Sequence, residues 1–184
     1  MSRLDPLPLE SLDEELQTEV RRLSESTGYV PNSFLIMGRR PEIAKNVLAL
    51  IRSVMRNPNS TIDTGLRWMV AHLCSRSFGC YYCSGHTAKN GARYGLPQEK
   101  FDAVWEFETS PLFSDAERAA LRVAVGGGHA PPTVSDEDME ELKKHFSEEQ
   151  VVEIVAVIAL FGFNNRWNDI MKTDLEQVVE DFLE

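Results

Sequence analysis

The chain is short of the features that mark several large classes of protein. Its 184 residues contain three cysteines, an odd number that does not make the disulfide framework of a secreted domain. The longest apolar run, Ile154–Phe163, is half the length a bilayer span requires. Lys and Arg number 19 against 29 Asp and Glu, for a net charge of −10. A surface of that sign argues against nucleic acid and against anionic membrane as partners. Met1–Leu16 is acidic and dotted with proline rather than basic and then apolar, so no signal peptide is expected and the protein reads as cytoplasmic. No segment alternates apolar and polar residues over a strand's length, which leaves no basis for a sheet. Gly126-Gly127-Gly128 lacks the lysine of a phosphate-binding loop. Internal repeats, low-complexity tracts and linkers are also missing. The expectation is one domain over residues 1–184, with residues 1–10 an extended lead-in.

What the chain has in abundance is helix punctuation. A hydroxyl residue followed three positions later by an acid or Gln recurs at Ser11/Glu14, Ser60/Asp63, Ser114/Glu117, Ser135/Asp138 and Ser147/Gln150. This is the capping-box pattern, and each instance precedes helical apolar periodicity. The fold class is therefore all-α, a helical bundle. Pro41 suits the first turn of a helix to about Met55, with Ile43, Val47, Leu50, Ile51 and Val54 inward. Glu99–Phe107 reads as one short helix and Asp115–Val125 as another, ended by a loop at Gly126–Pro132. Glu148–Phe163, apolar nearly all round, reads as the buried central helix. Asn164–Asp169 is expected to interrupt it, and Asn165, Arg166, Trp167 and Asn168 to serve a subunit interface or helix caps.

The chemistry concentrates in Leu66–Gly95, LRWMVAHLCSRSFGCYYCSGHTAKNGARYG. Gly79 suits the left-handed position that ends a helix. Cys80 then falls at the cap of the next helix, with Cys83 and His86 following at steps of three on one face. Peptide dipoles at a helix start favour a thiolate, and a neighbouring imidazole strengthens the effect. Such a thiolate attacks a peroxide oxygen to give a sulfenic acid. A second thiol condenses with it to a disulfide that an external dithiol reduces. On the preceding helix His72 lies two turns before Cys80 and is a candidate second base. His86, at i+3 from Cys83, points to Cys83 as the attacking sulfur, and Cys80, at the helix boundary, is expected to be the more exposed and to resolve it. Cys74, on the apolar stripe, reads as a buried small hydrophobe. The competing reading of Cys80, Cys83, His86 and His72 as a structural zinc site lacks the second ligand pair from a distant segment that such sites normally use. No metal and no cofactor is expected.

CYYCSGHT, preceded by LRWMVAHLCSRSFG, resembles the AhpD-like, carboxymuconolactone decarboxylase superfamily in its peroxidase-related branch. GYVPNSFLIMGRRPEIA, FSDAERAALRVAVGGGHAPP and FGFNNRWNDIM extend the resemblance over roughly Gly28 to Glu176. It implies an all-α bundle that assembles as a dimer, trimer or hexamer and reduces alkyl hydroperoxides through C-x-x-C. Two positions depart from the best-characterised members. Their Glu twelve residues before the first cysteine is Trp68 here, and their His four after the second is Thr87. His72, one turn nearer the cysteines on the same face, is the candidate for the vacant relay role.

The leading functional expectation is a thiol-dependent hydroperoxide reductase with Cys80, Cys83, His86 and His72 as catalytic residues. Its partners would be a hydroperoxide substrate and a dithiol reductant. The alternatives are a decarboxylase or isomerase of a small carboxylated ring, which would not need the cysteine pair, and a non-catalytic redox-sensing oligomer.

Overall fold

A computed structural model describes all 184 residues. Ten α-helices and two 3₁₀ turns account for its regular structure, with no strand. In chain order the helices are α1 (Glu14–Thr27), α2 (Asn32–Met37), α3 (Pro41–Met55), α4 (Thr64–Phe78) and α5 (Tyr81–Arg93). They continue as α6 (Gln98–Asp102), α7 (Asp115–Gly128), α8 (Asp136–His145), α9 (Glu148–Met171) and α10 (Gln177–Leu183).

Helix starts are where the punctuation places them in three cases. Ser114, Ser135 and Ser147 each cap a helix through a reciprocal capping box. In the two others a nearby acid takes the cap: Asp13, beside the Glu14 of its motif, and Asp63, the acid of its motif. Asp13 accepts from the Leu16 amide and Asp63 from the Leu66 amide, which moves α1 and α4 a few residues later than the serines implied. A carboxylate at the cap also faces the positive end of the helix dipole.

The buried central helix is α4, not α9. Ten consecutive residues of α4, Leu66 to Ser75, are buried, because α5, α7 and α9 all pack around it. Leu73 and Val70 have no exposed surface, and burial of each side chain contributes roughly 1.5–3 kcal/mol. α9 packs on one side only. Val152, Val155 and Phe163 lie exposed on its other side, so its all-round apolar character does not mean that it is enclosed. α9 also continues unbroken through Asn164–Asp169. Asn168 there turns its amide back onto the Asn164 carbonyl rather than competing with the ladder.

Two further boundaries differ from expectation for reasons of close packing. α7 runs through the triple glycine to Gly128. A Cβ at Gly127 would lie 2.5 Å from Ile158 Cγ2, and one at Gly128 2.6 Å from the Cys74 carbonyl oxygen. These glycines therefore let α7 press onto α9 and α4 instead of ending the helix. The segment after Pro97 splits into α6 and a 3₁₀ turn, Val104–Glu106. On α3 the buried residues are Ala44, Val47, Leu48 and Met55, while Ile43 and Leu50 are exposed.

Candidate active site

The α4–α5 junction sets the two cysteines. Gly79 has φ 86°, ends α4, and donates back to the Ser75 and Arg76 carbonyls. That left-handed turn costs a side-chain-bearing residue more than it costs glycine. The chain then reverses, and Cys80 occupies the N-cap of α5 with extended backbone. Its Sγ accepts from the Cys83 backbone N–H at 3.4 Å. Sulfur here does what the oxygen of a capping serine does. The two thiols are buried to nearly the same degree, 2% exposed at Cys80 and 3% at Cys83. Cys80 is thus not the more exposed sulfur, because α10 covers this part of α5: Gly85 lies against Leu175, Val179 and Leu183.

What separates the sulfurs is the cavity each one lines. Cys83 lines an inner chamber of about 90 Å³ together with Tyr29, Phe34, Trp68, Tyr82, His86 and Asn168. Cys80 lines an outer groove of about 330 Å³ with His72, Arg76, Tyr81, Ser84 and Leu183. The C-x-x-C pair therefore bridges two compartments, one small and aromatic, the other open and carrying a cation.

The pair shares a proton unequally. The Cys83 side chain donates to Cys80, and this hydrogen bond, with the Cys83 and Tyr82 backbone amides, outweighs burial and lowers the Cys80 thiol. Burial raises Cys83, and the bond it gives to Cys80 raises it further. Opposing this, Asn168 donates to Cys83 Sγ at 3.5 Å. Of the two thiols, Cys80 is therefore the one that ionises more readily. Cys74 is buried and pushed up to about 12, with no partner but the Ile158 carbonyl at 3.9 Å. It remains a thiol.

His86 is bonded to neither sulfur. Its Nδ1 is 3.0 Å from the Tyr29 hydroxyl and its Nε2 2.6 Å from Glu176 Oε2. The surrounding donors fix the direction of the chain. Asn90 Nδ2 donates to the Tyr29 oxygen at 3.1 Å, so Tyr29 donates to Nδ1 and Nε2–H donates to Glu176. Glu176 also accepts from the Tyr82 hydroxyl at 2.9 Å and from the Asn32 backbone N–H at 2.5 Å. Burial alone would raise its carboxyl. The His86 bond and the backbone amides overcome that and hold it below the usual range. Burial keeps the Tyr29 hydroxyl protonated well past its ordinary value. A proton-bearing relay, Tyr29–His86–Glu176, thus runs along the chamber wall.

His72 belongs to the other compartment. Its Nδ1 meets the Ser84 carbonyl at 3.2 Å and Thr87 Oγ1 at 3.0 Å. A carbonyl only accepts, so Nδ1 carries the hydrogen and Nε2 is the basic nitrogen. Burial first, then the Arg76 charge, lowers His72 to about 4. Unfolded, it would titrate near 6.5, so between these values the unfolded chain binds the extra proton. Stability therefore falls as pH drops from about 6.5 to about 4, by roughly 3 kcal/mol. Urea midpoints of the parent and of His72→Phe across this range check this. The parent should lose stability relative to the variant, and parallel curves would remove the burial account.

The structure brings Cys80, Cys83, His72 and His86 into one neighbourhood but places the two histidines in different cavities. It adds four residues that the sequence reading did not select for the site. Glu176 stands 90 positions from His86, in an acidic C-terminal segment where nothing distinguishes it from its neighbours. Tyr29 lay in what read only as a turn. Trp167 and Asn168, expected at an interface or a cap, line the chamber instead.

No family model matches the chain. Among solved structures, the debrominase Bmp8, as a cysteine-to-alanine variant with 2,3,4-tribromopyrrole, is 32% identical, with TM-score 0.89 over 97% of this chain and 94% of that one. A peroxidase-related protein with an alkylhydroperoxidase AhpD core from Ralstonia eutropha JMP134 is 24% identical, with TM-score 0.85 over 97% of this chain and 94% of that one. YnjA of Escherichia coli (strain K12) is 32% identical over 117 residues, and the match spans 64% of this chain and 64% of that relative's length. With the all-α bundle and the C-x-x-C helix cap, these likenesses carry one conclusion: the chain has the fold of the AhpD core and is a relative of Bmp8 over nearly its whole length.

Proposed function

We propose that the protein is a dithiol-dependent reductase of small hydroperoxides, acting through Cys83 and Cys80. The observation that carries this reading is the division of the pair between an aromatic chamber and a separate groove. Substrate enters the chamber, and the Cys83 proton passes to the Cys80 thiolate. The Cys83 thiolate attacks the terminal peroxide oxygen, an S–O bond forms and the O–O bond breaks. Tyr29 protonates the departing alkoxide and regains a proton from solvent, while His86, oriented by Glu176, holds the Tyr29 hydroxyl in place through Nδ1. Cys80 then attacks the Cys83 sulfenic acid, water leaves, and a disulfide remains. An external dithiol entering at the groove reduces that disulfide through Cys80. The chamber, at about 90 Å³, fits small hydroperoxides best.

One observation favours a second reaction in the same chamber. Its walls are aromatic, and the debrominase Bmp8 shares about a third of its residues with this chain. In that reading the Cys83 thiolate attacks the halogen of a small aryl halide. An S–halogen bond forms, the C–halogen bond breaks, and the ring carbon takes the Tyr29 proton. Cys80 displaces halide from Cys83 to give the same disulfide. Both readings are enzymatic, and both end in a disulfide that a dithiol must reduce.

The test is to supply dithiothreitol with either ethyl hydroperoxide or a monocyclic bromopyrrole and to follow peroxide loss and bromide release. Thiol-dependent turnover of the peroxide supports the first reading. Turnover of the halide alone replaces it with the second. Reversible disulfide formation without turnover of either leaves a redox sensor.

Assembly is proposed on separate grounds. Val152, Val155 and Phe163 on α9, with Ile170, present an apolar surface of the kind that marks a protein interface. We expect a homo-oligomer, dimer, trimer or hexamer, by light scattering at micromolar concentration. A single species near 20.8 kDa would rule it out.

A further inference from the structure

We infer that the chamber beside Cys83 is built to orient a small ring carrying one N–H or O–H donor, through the amide oxygens of Asn90 and Asn168. The inference deepens the reading of that chamber as the substrate site and rests on it.

Three chamber-lining side chains are more than nine-tenths buried and leave a polar atom without a partner: Asn90 Oδ1, Asn168 Oδ1 and Trp68 Nε1. The amide orientations follow from their other ends. Asn90 Nδ2 donates to the His86 carbonyl at 2.8 Å, and Asn168 Nδ2 donates to the Asn164 carbonyl at 2.9 Å. A carbonyl cannot donate, so in both residues the nitrogen is the bonded atom and the oxygen is left over. Native interiors leave few such groups unpaired, because each forfeits its hydration without replacement. Several orphaned atoms around one cavity indicate a ligand that satisfies them. Two acceptors call for a donor on that ligand. The Trp68 N–H calls for a hydroxyl lone pair or the face of a π-system.

Position gives the same residues a role in the reaction. Asn168 Nδ2 also bonds Cys83 Sγ, so a ring held on Asn168 Oδ1 lies next to the attacking sulfur. Asn90 bonds Tyr29, which places the second acceptor beside the proton donor. The aromatic walls and the volume of about 90 Å³ limit the occupant to one small ring. Asn90 and Asn168 are specificity-determining residues here, since the ligand's donor chooses its orientation. An analogue lacking the donor leaves buried acceptors unpaired and is rejected.

The probes are two isosteric pairs, pyrrole with thiophene for the N–H source and phenol with benzene for the O–H source. Each is titrated into the reduced, ¹⁵N-labelled protein while the indole N–H signals are followed. Trp68 and Trp167 line the chamber, and exposed Trp105 serves as the external reference. The donor-bearing member of at least one pair should shift the Trp68 signal with about tenfold higher affinity than its partner. The pair that discriminates identifies the donor type. Equal affinities within both pairs, or shifts at Trp105 alone, would overturn the proposal. In Asn168→Leu, or in Asn90→Leu if the first variant does not fold, discrimination should fall below threefold. Undiminished discrimination in a folded variant would overturn the assignment of that residue. Because binding is read without turnover, discrimination in a protein that reduces neither peroxide nor halide would sink the catalytic reading and leave this site standing.

Discussion

Cys83→Ser should lose thiol-dependent turnover by roughly 10³-fold or more, the scale on which removal of a covalent nucleophile acts. Cys80→Ser should instead complete one slow chemical event and stop. The two sulfurs are equally buried, so exposure does not separate them. Their compartments do. Cys83 faces the chamber, and without it a substrate bound there meets no sulfur. Cys80 faces the groove, where in the proposed cycle it takes the proton of Cys83 and later meets the reductant. In Cys80→Ser, Cys83 has lost the thiolate that deprotonates it, which slows the attack. It has also lost the partner that closes the disulfide, which strands the sulfenic acid. Trapping with a dimedone-type reagent should therefore label Cys80→Ser at Cys83 and leave Cys83→Ser unlabelled. Rapid labelling of Cys83→Ser at Cys80, with Cys80→Ser inert, would reverse the roles. In the parent, mild oxidation should link Cys80 to Cys83 and spare Cys74, whose thiol burial pushes up to about 12. A linkage using Cys74 would contradict its position in the core.

Features carried by residues close together in the sequence were readable before the fold was. The all-α class followed from capping boxes, and three of these are formed as read. The C-x-x-C at a helix cap followed from Gly79 and helical spacing, and Cys80 occupies that cap. Features that depend on what packs where were not readable. α4 and α9 both look apolar, and only the placement of α5, α7 and α9 decides that α4 is the enclosed one. Gly126–Gly128 read as a loop because the close approach of Ile158 and the Cys74 carbonyl is tertiary information. The same limit hid Glu176. His86 was chosen for its spacing from Cys83, yet its orientation is set by a carboxylate from the far end of the chain. That carboxylate lies in the segment that leads into α10.

Glu176 gives the second large effect. Glu176→Gln should reduce kcat by about 10²-fold or more, within the range of general acid–base contributions, although Glu176 touches no sulfur. It acts as a positioning residue. One oxygen fixes the His86 tautomer at 2.6 Å, while the other ties α2 and α5 together through the Asn32 amide and the Tyr82 hydroxyl. A glutamine keeps the shape but offers one oxygen and an N–H₂. It cannot accept from all three donors, and it removes the charge on which the His86 Nε2–H is seated. Stability should fall as well, by roughly 1–3 kcal/mol for a buried donor left unpaired. In the parent, the lowered Glu176 carboxyl contributes stability that is complete above its unfolded value near 4.3 and is lost as pH falls through the folded value. The variant should lack that acid-side loss. A purely structural role would lower stability and leave the pH dependence of kcat unchanged. A role in positioning the proton donor moves the limb of that profile that reports Tyr29. Glu176→Asp, which keeps the charge but shortens the reach, should recover part of the rate if charge is what His86 requires. A Glu176→Gln enzyme with parental kcat and an unmoved pH profile would remove Tyr29–His86–Glu176 from the reaction and leave Cys83 and Cys80 to act without it.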